Sequence, residues 1–183
     1  MASFAEPPGG SRREYVSAMS THVLFVCTGN TCRSPMAEAI ARKIAIERGM
    51  PDVDVASAGT SAWDGAPASD GALLVGMERN MDLGSHRSQQ LSRALVQAAD
   101  LILAMGPHHL ERAEALGGAG KTYLLTAYPA RGANGRSVSD PVGAELDVYR
   151  ETADELEAEI RRVFDRLALP GMHRGERAGP DEG

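Results

Sequence analysis

The segment from Cys27 to Pro35 constrains the fold most, because it joins two elements of different kinds. The apolar run from Val23 to Val26 precedes it and predicts a short buried strand. Small and turn-forming residues then lead to Ser34 and Pro35, which suit the first positions of a helix. A strand that turns directly into a helix is the repeating unit of sheets that carry helices on their faces.

The rest of the chain repeats this alternation. The predicted strands are Val23 to Val26, Val53 to Val55, Leu101 to Leu103 and Tyr123 to Leu125. The predicted helices start near Ser34, Asp70, Ser92 and Pro107, and a last helix has its apolar stripe at Tyr149, Ala153, Leu156, Ile160, Val163 and Leu167. We therefore predict an α/β fold, a four-stranded parallel sheet with helices on both faces. Ligands of such folds bind at the carboxyl ends of the strands, where Cys27 lies.

Length and composition favour one domain with a packed core. The chain has 183 residues, of which 43% are hydrophobic. Residues 1–20 and 169–183 are rich in Gly, Pro and charged residues, so we expect a flexible arm and a flexible tail around a domain of residues 21–168.

Charge and cysteine usage exclude several functions. The net charge of −6 argues against a general nucleic-acid binder, and no apolar run is long enough to cross a membrane. The two cysteines lie in one loop, which is not a secreted disulfide framework, so a cytoplasmic protein is expected. No zinc-ligand spacing occurs, and the chemistry below requires no metal or cofactor.

A thiol at the end of a strand, with an arginine six residues later, indicates a cysteine nucleophile that attacks a bound phosphate. The loop amides, the helix N-terminus and Arg33 favour the thiolate of Cys27 and also bind phosphate oxygens. Ser34 can donate a hydrogen bond to the sulfur, Gly29 allows close approach, and Asn30 tolerates a left-handed backbone. The predicted phosphate-binding loop comprises Cys27, Thr28, Gly29, Asn30, Thr31, Cys32, Arg33 and Ser34.

The stretch CTGNTCRSPMAE, from Cys27 to Glu38, resembles the signature of the low-molecular-weight protein-tyrosine phosphatase family. The resemblance covers residues 21–168 and implies a flavodoxin-like sheet and a cysteinyl-phosphate intermediate. Asp140-Pro141 is by itself a common turn dipeptide. Because the family has an Asp-Pro before its last helix as the general acid, the resemblance selects Asp140 for that role.

The same resemblance assigns supporting roles to other residues. It implies that Ser57 and His86 join a hydrogen-bond network with Asn30 and Ser34, although by themselves they read as a turn serine and a solvated loop histidine. It places Trp63, the only tryptophan, on a wall of the substrate pocket.

Cys32 has two interpretations. It is either inert packing or, as the resemblance implies, a redox partner that traps oxidised Cys27 as a disulfide. A phosphatase with such a pair is expected to be redox-sensitive.

The resemblance also bears on the substrate, a phosphorylated protein from which inorganic phosphate is released. Thr31 resembles the bacterial protein-arginine phosphatase branch, since many tyrosine-directed members have a bulky aliphatic residue there. Val142 and Gly143 stand where tyrosine-directed members often have paired tyrosines. Trp63 argues for phosphotyrosine, and Val142 is smaller than expected for the arginine branch. We favour phosphoarginine slightly over phosphotyrosine.

Three alternatives belong to other classes of protein. A thioredoxin-coupled arsenate reductase shares the fold and loop but needs a further cysteine, and none follows Cys32. A non-catalytic phosphoprotein-binding module would need neither Cys27 nor Asp140. A flavin-binding flavodoxin is compatible with the fold alone, and fold does not define function.

Overall fold

The computed structural model describes residues 20–130 and 134–169, which form a four-stranded parallel sheet flanked by helices. The strands are β1 (Thr21–Cys27), β2 (Val53–Gly59), β3 (Leu101–Ala104) and β4 (Thr122–Leu124), in the spatial order β2-β1-β3-β4. The helices are α1 (Arg33–Glu47), α2 (Asp70–Glu78), α3 (Arg93–Ala98), α4 (Pro107–Ala113) and α5 (Leu146–Leu167), and a π-helical turn over Glu114–Gly118 follows α4. The predicted α/β fold is confirmed. The predicted arm up to residue 19 and the tail from residue 170 lie outside the described residues.

The central strand β1 is buried on both faces. Val23 and Phe25 belong to one hydrophobic core cluster, whereas Leu24 and Val26 belong to the other, because successive side chains of a strand point to opposite faces. Residues of α1 and α5 complete the first cluster, and Val96 of α3 contributes to the second. Helices therefore cover both faces, as the continuous apolar run predicts.

The two strongest helix predictions match the burial of their side chains. All six residues of the predicted α5 stripe are buried, as are Met36, Ile40 and Ile44 of α1. The hydroxyl of Ser92 accepts a hydrogen bond from the backbone N–H of Leu95 at 3.2 Å, so it caps α3 as expected.

Strand β2 extends beyond the predicted Val53 to Val55. Pairing with β1 continues to the residue opposite Cys27, which is Gly59. The partner strand therefore sets the length of β2, even though the added residues are small and carry no strand pattern of their own. On the other side of β1, Val26 is opposite Ala104, so three strands end around Cys27. Within the described ranges, no helix is both long and apolar enough to span a bilayer.

Candidate active site

The loop from Cys27 to Arg33 joins the end of β1 to the first turn of α1. The sulfur of Cys27 lies 2.9 Å from Oγ of Ser34, so it contacts a hydroxyl group within the largely buried loop. Ser34 is itself fully buried in the first turn of the helix. The sequence thus brings the thiol to a helix N-terminus, where the backbone N–H groups favour negative charge.

Asn30 holds the loop in its turn. Its φ of 54° lies in the left-handed region, and its side chain is fully buried. Nδ2 donates to Oγ of Ser34 at 2.8 Å and to Oγ of Ser57 at 2.9 Å, while Oδ1 accepts from the backbone N–H of Gln89 at 2.9 Å. His86 donates from Nε2 to the carbonyl oxygen of Asn30 at 2.7 Å. Every polar group of the buried amide therefore has a partner, which avoids the cost of an unpaired group.

The order of donors in this network directs one hydrogen toward the sulfur. Nδ2 of Asn30 donates one hydrogen to each of the two serine hydroxyls. The hydroxyl of Ser57 in turn donates to Oε2 of Glu38 at 2.5 Å. Because Oγ of Ser34 accepts from Asn30, the hydroxyl hydrogen of Ser34 is available to donate to another acceptor. Among the described residues these acceptors are the sulfur of Cys27 at 2.9 Å and the carbonyl oxygen of Ala58 at 3.4 Å. The sulfur is the closer of these two acceptors.

Gly59, which the sequence prediction did not single out, allows the loop to pack against β2. A Cβ atom at this position would lie 2.4 Å from the carbonyl oxygen of Thr28 and 2.9 Å from the backbone nitrogen of Asn30. Any side chain would displace the loop backbone. At Gly29, in contrast, a Cβ would meet only Oγ1 of Thr31 at 3.6 Å, so the fold itself does not require glycine there.

The guanidinium group of Arg33 links the loop to the Asp-Pro segment. The residue is 6% exposed, and its guanidinium group donates from Nη1 to the carbonyl oxygen of Val138 at 3.1 Å and from Nη2 to Oδ2 of Asp140 at 3.3 Å. The other carboxylate oxygen of Asp140 accepts from the backbone N–H of Val142 at 3.1 Å. The two residues predicted to bind phosphate and to donate a proton therefore contact each other across 107 positions of sequence.

Two predicted pocket residues are solvent-exposed. The side chains of Trp63 and Val142 are 86% and 65% exposed. The backbone around Trp63 is nevertheless held, because its carbonyl oxygen accepts a hydrogen bond from the hydroxyl of Ser88. Their predicted contact with a substrate stays a prediction.

Cys32 is a free thiol with polar neighbours on other elements. Its sulfur lies 3.3 Å from Oγ of Ser69 and 3.4 Å from the hydroxyl oxygen of Tyr149. Burial, together with the hydrogen bond between the phenol and the sulfur of Cys32, raises the pKa of Tyr149. Cys27 is also a free thiol.

His109 is a further residue at the loop that sequence reasoning missed. Its Nε2 atom lies 2.8 Å from Oγ1 of Thr28, and the ring is fully buried. Burial lowers the pKa of His109 from 6.5 to about 4, with further lowering from the positive charges of His108 and Arg33. Its position in the first turn of α4 carries no sequence signal, because the contact to Thr28 joins residues 81 positions apart.

This shift of the pKa predicts a loss of stability in acid. Because the unfolded chain binds the proton more tightly than the folded chain, the free energy of unfolding falls as the pH drops from about 6.5 to about 4, by roughly 3 kcal/mol in total. Above pH 6.5 the histidine is neutral in both states and has no such effect. Urea unfolding at pH 7, 5.5 and 4.5 should show a shallower pH dependence for His109→Gln than for the wild type. An unchanged pH dependence in the variant would contradict the shift. His108→Gln removes only the smaller contribution of His108 to this pKa, so it should change the pH dependence less than His109→Gln does.

Residues 20–130 and 134–169 contain no group of three His, Cys, Asp or Glu side chains that could hold a metal ion. The positive end of α1, which begins at Arg33, lies at the end of the loop and favours negative charge there. The site combines a buried thiol, a loop that leads into a helix N-terminus and a carboxyl group paired with an arginine. This is the arrangement expected of a cysteine-dependent phosphatase.

Comparison with known proteins gives the family. The family described as low molecular weight phosphotyrosine protein phosphatase matches residues 22–170, and the chain belongs to that family. A protein-arginine-phosphatase of Bacillus subtilis is 40% identical over 147 residues, which is 79% of this chain and 95% of that protein. The low-molecular-weight protein-tyrosine-phosphatase PtpB of Staphylococcus haemolyticus is 36% identical over 135 residues, which is 73% of this chain and 91% of that protein.

A solved structure agrees with this assignment. It is a YwlE arginine phosphatase in which serine replaces a cysteine and the active-site serine is phosphorylated. It superposes with a TM-score of 0.78 at 36% identity and covers 84% of this chain and 100% of its own. The predicted resemblance is confirmed, and the chain is a cysteine-dependent protein phosphatase.

Proposed function

We propose that Cys27, Arg33 and Asp140 carry out the phosphatase reaction, with Cys27 as nucleophile, Arg33 as phosphate ligand and Asp140 as general acid. The observation that carries the proposal is the pair of contacts around one loop: Ser34 to the sulfur at 2.9 Å, and Arg33 to Asp140 at 3.3 Å. The experiment that tests it is phosphate release by the wild type, Cys27→Ser and Asp140→Asn.

In the first step the thiolate of Cys27 attacks the phosphorus of a bound phosphoryl group. The sulfur–phosphorus bond forms while the bond from phosphorus to the side-chain oxygen or nitrogen breaks. Asp140 donates its proton to that leaving atom. The loop amides and Arg33 stabilise the charge on the phosphoryl oxygens during transfer.

In the second step Asp140, now a carboxylate, takes a proton from a water molecule. The water oxygen attacks phosphorus, the sulfur–phosphorus bond breaks, and inorganic phosphate leaves with the Cys27 thiolate restored. The hydrogen bond from Ser34 stabilises the thiolate as the leaving group. The phosphorylated serine in the solved relative supports a covalent intermediate at this position.

The proposed substrates are phosphorylated proteins, with phosphoarginine favoured over phosphotyrosine. The arginine phosphatases among the relatives support this preference, and so does Thr31, a half-buried residue of the loop. Its hydroxyl can hydrogen-bond a polar guanidinium or a water molecule, whereas a larger aliphatic side chain suits an aromatic ring. The exposed Trp63 is a platform that would also accept phosphotyrosine.

We expect Thr31→Ile to shift the ratio of catalytic efficiencies toward phosphotyrosine by about thirtyfold, since one hydrogen bond and one methylene group are each worth about 1 kcal/mol. The measurement is kcat/KM for a phosphoarginine peptide and for a phosphotyrosine peptide of the same sequence. Thr31→Ser keeps the hydroxyl and serves as the control. A ratio that is the same in wild type and Thr31→Ile would remove Thr31 as a determinant of specificity.

We also propose reversible oxidation of the Cys27–Cys32 pair. Peroxide would convert the Cys27 thiolate to a sulfenic acid, and Cys32 would then displace water to form a disulfide. Mild peroxide should therefore give a Cys27–Cys32 link by mass spectrometry and an activity loss that dithiothreitol reverses. In Cys32→Ser the loss should become irreversible. Sulfonic acid at Cys27 in the wild type, without the link, would contradict this role.

A reducing compartment suits this chemistry, since the nucleophile must be a free thiolate. Both cysteines are free thiols, which supports the cytoplasmic location expected from the sequence. The other expected partners stay part of the proposal: inorganic phosphate as product, and no nucleic acid.

A further inference from the structure

A histidine outside the phosphate-binding loop contacts the residue that follows the nucleophile. His109 lies in the first turn of α4 and is fully buried. Its Nε2 atom is 2.8 Å from Oγ1 of Thr28, whereas its Nδ1 atom has no hydrogen-bond partner among the described residues. A buried polar atom without a partner lowers stability, so folding alone does not explain a histidine at this position.

The unpartnered nitrogen determines the direction of the contact with Thr28. A neutral imidazole carries hydrogen on one ring nitrogen and a lone pair on the other. A buried N–H group without an acceptor is rarer than a buried acceptor without a donor. The hydrogen of His109 therefore lies on Nε2, which donates to Oγ1 of Thr28. The ring is neutral at pH 7 because its pKa is lowered to about 4.

This donation leaves the hydroxyl hydrogen of Thr28 available to another acceptor. The side chain of Thr28 is exposed, and its carbonyl oxygen accepts from the backbone N–H of Ser61 at 2.9 Å, so the backbone is held. Since His109 occupies one lone pair of the hydroxyl oxygen, the hydrogen is turned away from the histidine. Thr28 adjoins Cys27, so that hydrogen lies at the loop.

We propose that His109 is a positioning residue, which orients the Thr28 hydroxyl as a hydrogen-bond donor to phosphoryl oxygens held by the loop. This inference rests on the proposed function, because it takes the loop as the phosphate site. A single oriented hydroxyl donor is worth about tenfold in binding or rate.

The test compares His109→Phe, Thr28→Val and the double variant. His109→Phe removes the donor and also the unpartnered Nδ1, so we expect kcat/KM to fall about tenfold while Tm stays the same or rises. The dissociation constant of inorganic phosphate, measured by calorimetry, should rise by a similar factor. Thr28→Val should give the same losses, and the double variant should lose no more than either single variant.

Two further variants separate positioning from packing. His109→Gln has an amide that can donate from near the Nε2 position, so it should recover most of the activity. His108→Phe makes the same change at the exposed neighbour and should leave kcat/KM unchanged.

Unchanged kcat/KM and phosphate affinity in His109→Phe would overturn the inference, as would losses that add in the double variant. Phosphate binding requires no turnover. A wild type that binds phosphate but releases none from any substrate would therefore refute the proposed function and leave the role of His109 decided by the dissociation constants.

Discussion

Cys27→Ser is expected to lower kcat by about 10⁴-fold or more, because a serine hydroxyl ionises far less readily than a thiol and is a poorer nucleophile at neutral pH. The variant keeps a side chain that can hydrogen-bond Ser34, and the loop amides are unchanged. The affinity for inorganic phosphate should therefore change much less than the rate. The measurement is phosphate release from a phosphopeptide, paired with calorimetric titration of inorganic phosphate.

Cys32→Ser is the matched control, since it makes the same replacement in the same loop. In the wild type the sulfur of Cys32 contacts Ser69 and Tyr149, and a serine hydroxyl can replace the sulfur in both contacts. It should retain most of the turnover. A Cys27→Ser protein as active as the wild type would exclude Cys27 as the nucleophile. If the wild type itself bound phosphate and released none, the phosphoprotein-binding module would be the better description.

The sequence predicts the part of the site that is local in the chain. Cys27, Asn30 and Ser34 lie within eight residues, so the strand, the left-handed turn and the helix start determine their arrangement. The arrangement of these three residues can therefore be predicted without the family resemblance. The roles of Ser57 and His86 came from the family resemblance, because nothing in their own surroundings in the sequence distinguishes them from ordinary turn residues.

The contacts that sequence reasoning missed all depend on tertiary packing. His109 reaches Thr28 only because β3 lies beside β1, and Gly59 is required only because the loop passes over the end of β2. Glu38 is the last residue of the stretch that resembles the family signature, but its hydrogen bond from Ser57 depends on the register of α1 against β2. In the sequence alone, Gly59, His109 and Glu38 cannot be distinguished from the many glycines, histidines and glutamates that belong to no functional site.

The contact between Arg33 and Asp140 explains how one carboxyl group could serve in both steps. In the structure the guanidinium group donates to Oδ2 of Asp140 at 3.3 Å. A bound phosphoryl dianion would compete for Arg33, which would release the carboxyl group for proton transfer to the leaving atom. Once the leaving group has departed, transfer of the proton leaves the carboxylate as the base for water.

Asp140→Asn is therefore expected to lower kcat by about 10²- to 10³-fold on substrates whose leaving group must be protonated. The amide has a single acceptor oxygen, so it can keep the hydrogen bond from the backbone N–H of Val142 but then loses the one from Arg33. The turn should keep its geometry, and KM should change much less than kcat. Phosphoarginine and phosphotyrosine peptides should show the full loss. For p-nitrophenyl phosphate, whose leaving group needs no proton, the burst of p-nitrophenol that reports the first step should be nearly as fast as in the wild type.

The dependence on the leaving group distinguishes proton transfer from positioning. Loss of a general acid slows the first step more when the leaving group is more basic. Displacement of the loop slows the first step equally for every substrate. Stopped-flow measurement of the burst, followed by steady-state turnover, separates the two steps for each substrate. Turnover after the burst should remain slow in Asp140→Asn, since the amide cannot take a proton from water. Equal losses of burst rate on all substrates would show that Asp140 acts by holding Arg33 in place, and the general acid would then have to be sought elsewhere around the loop.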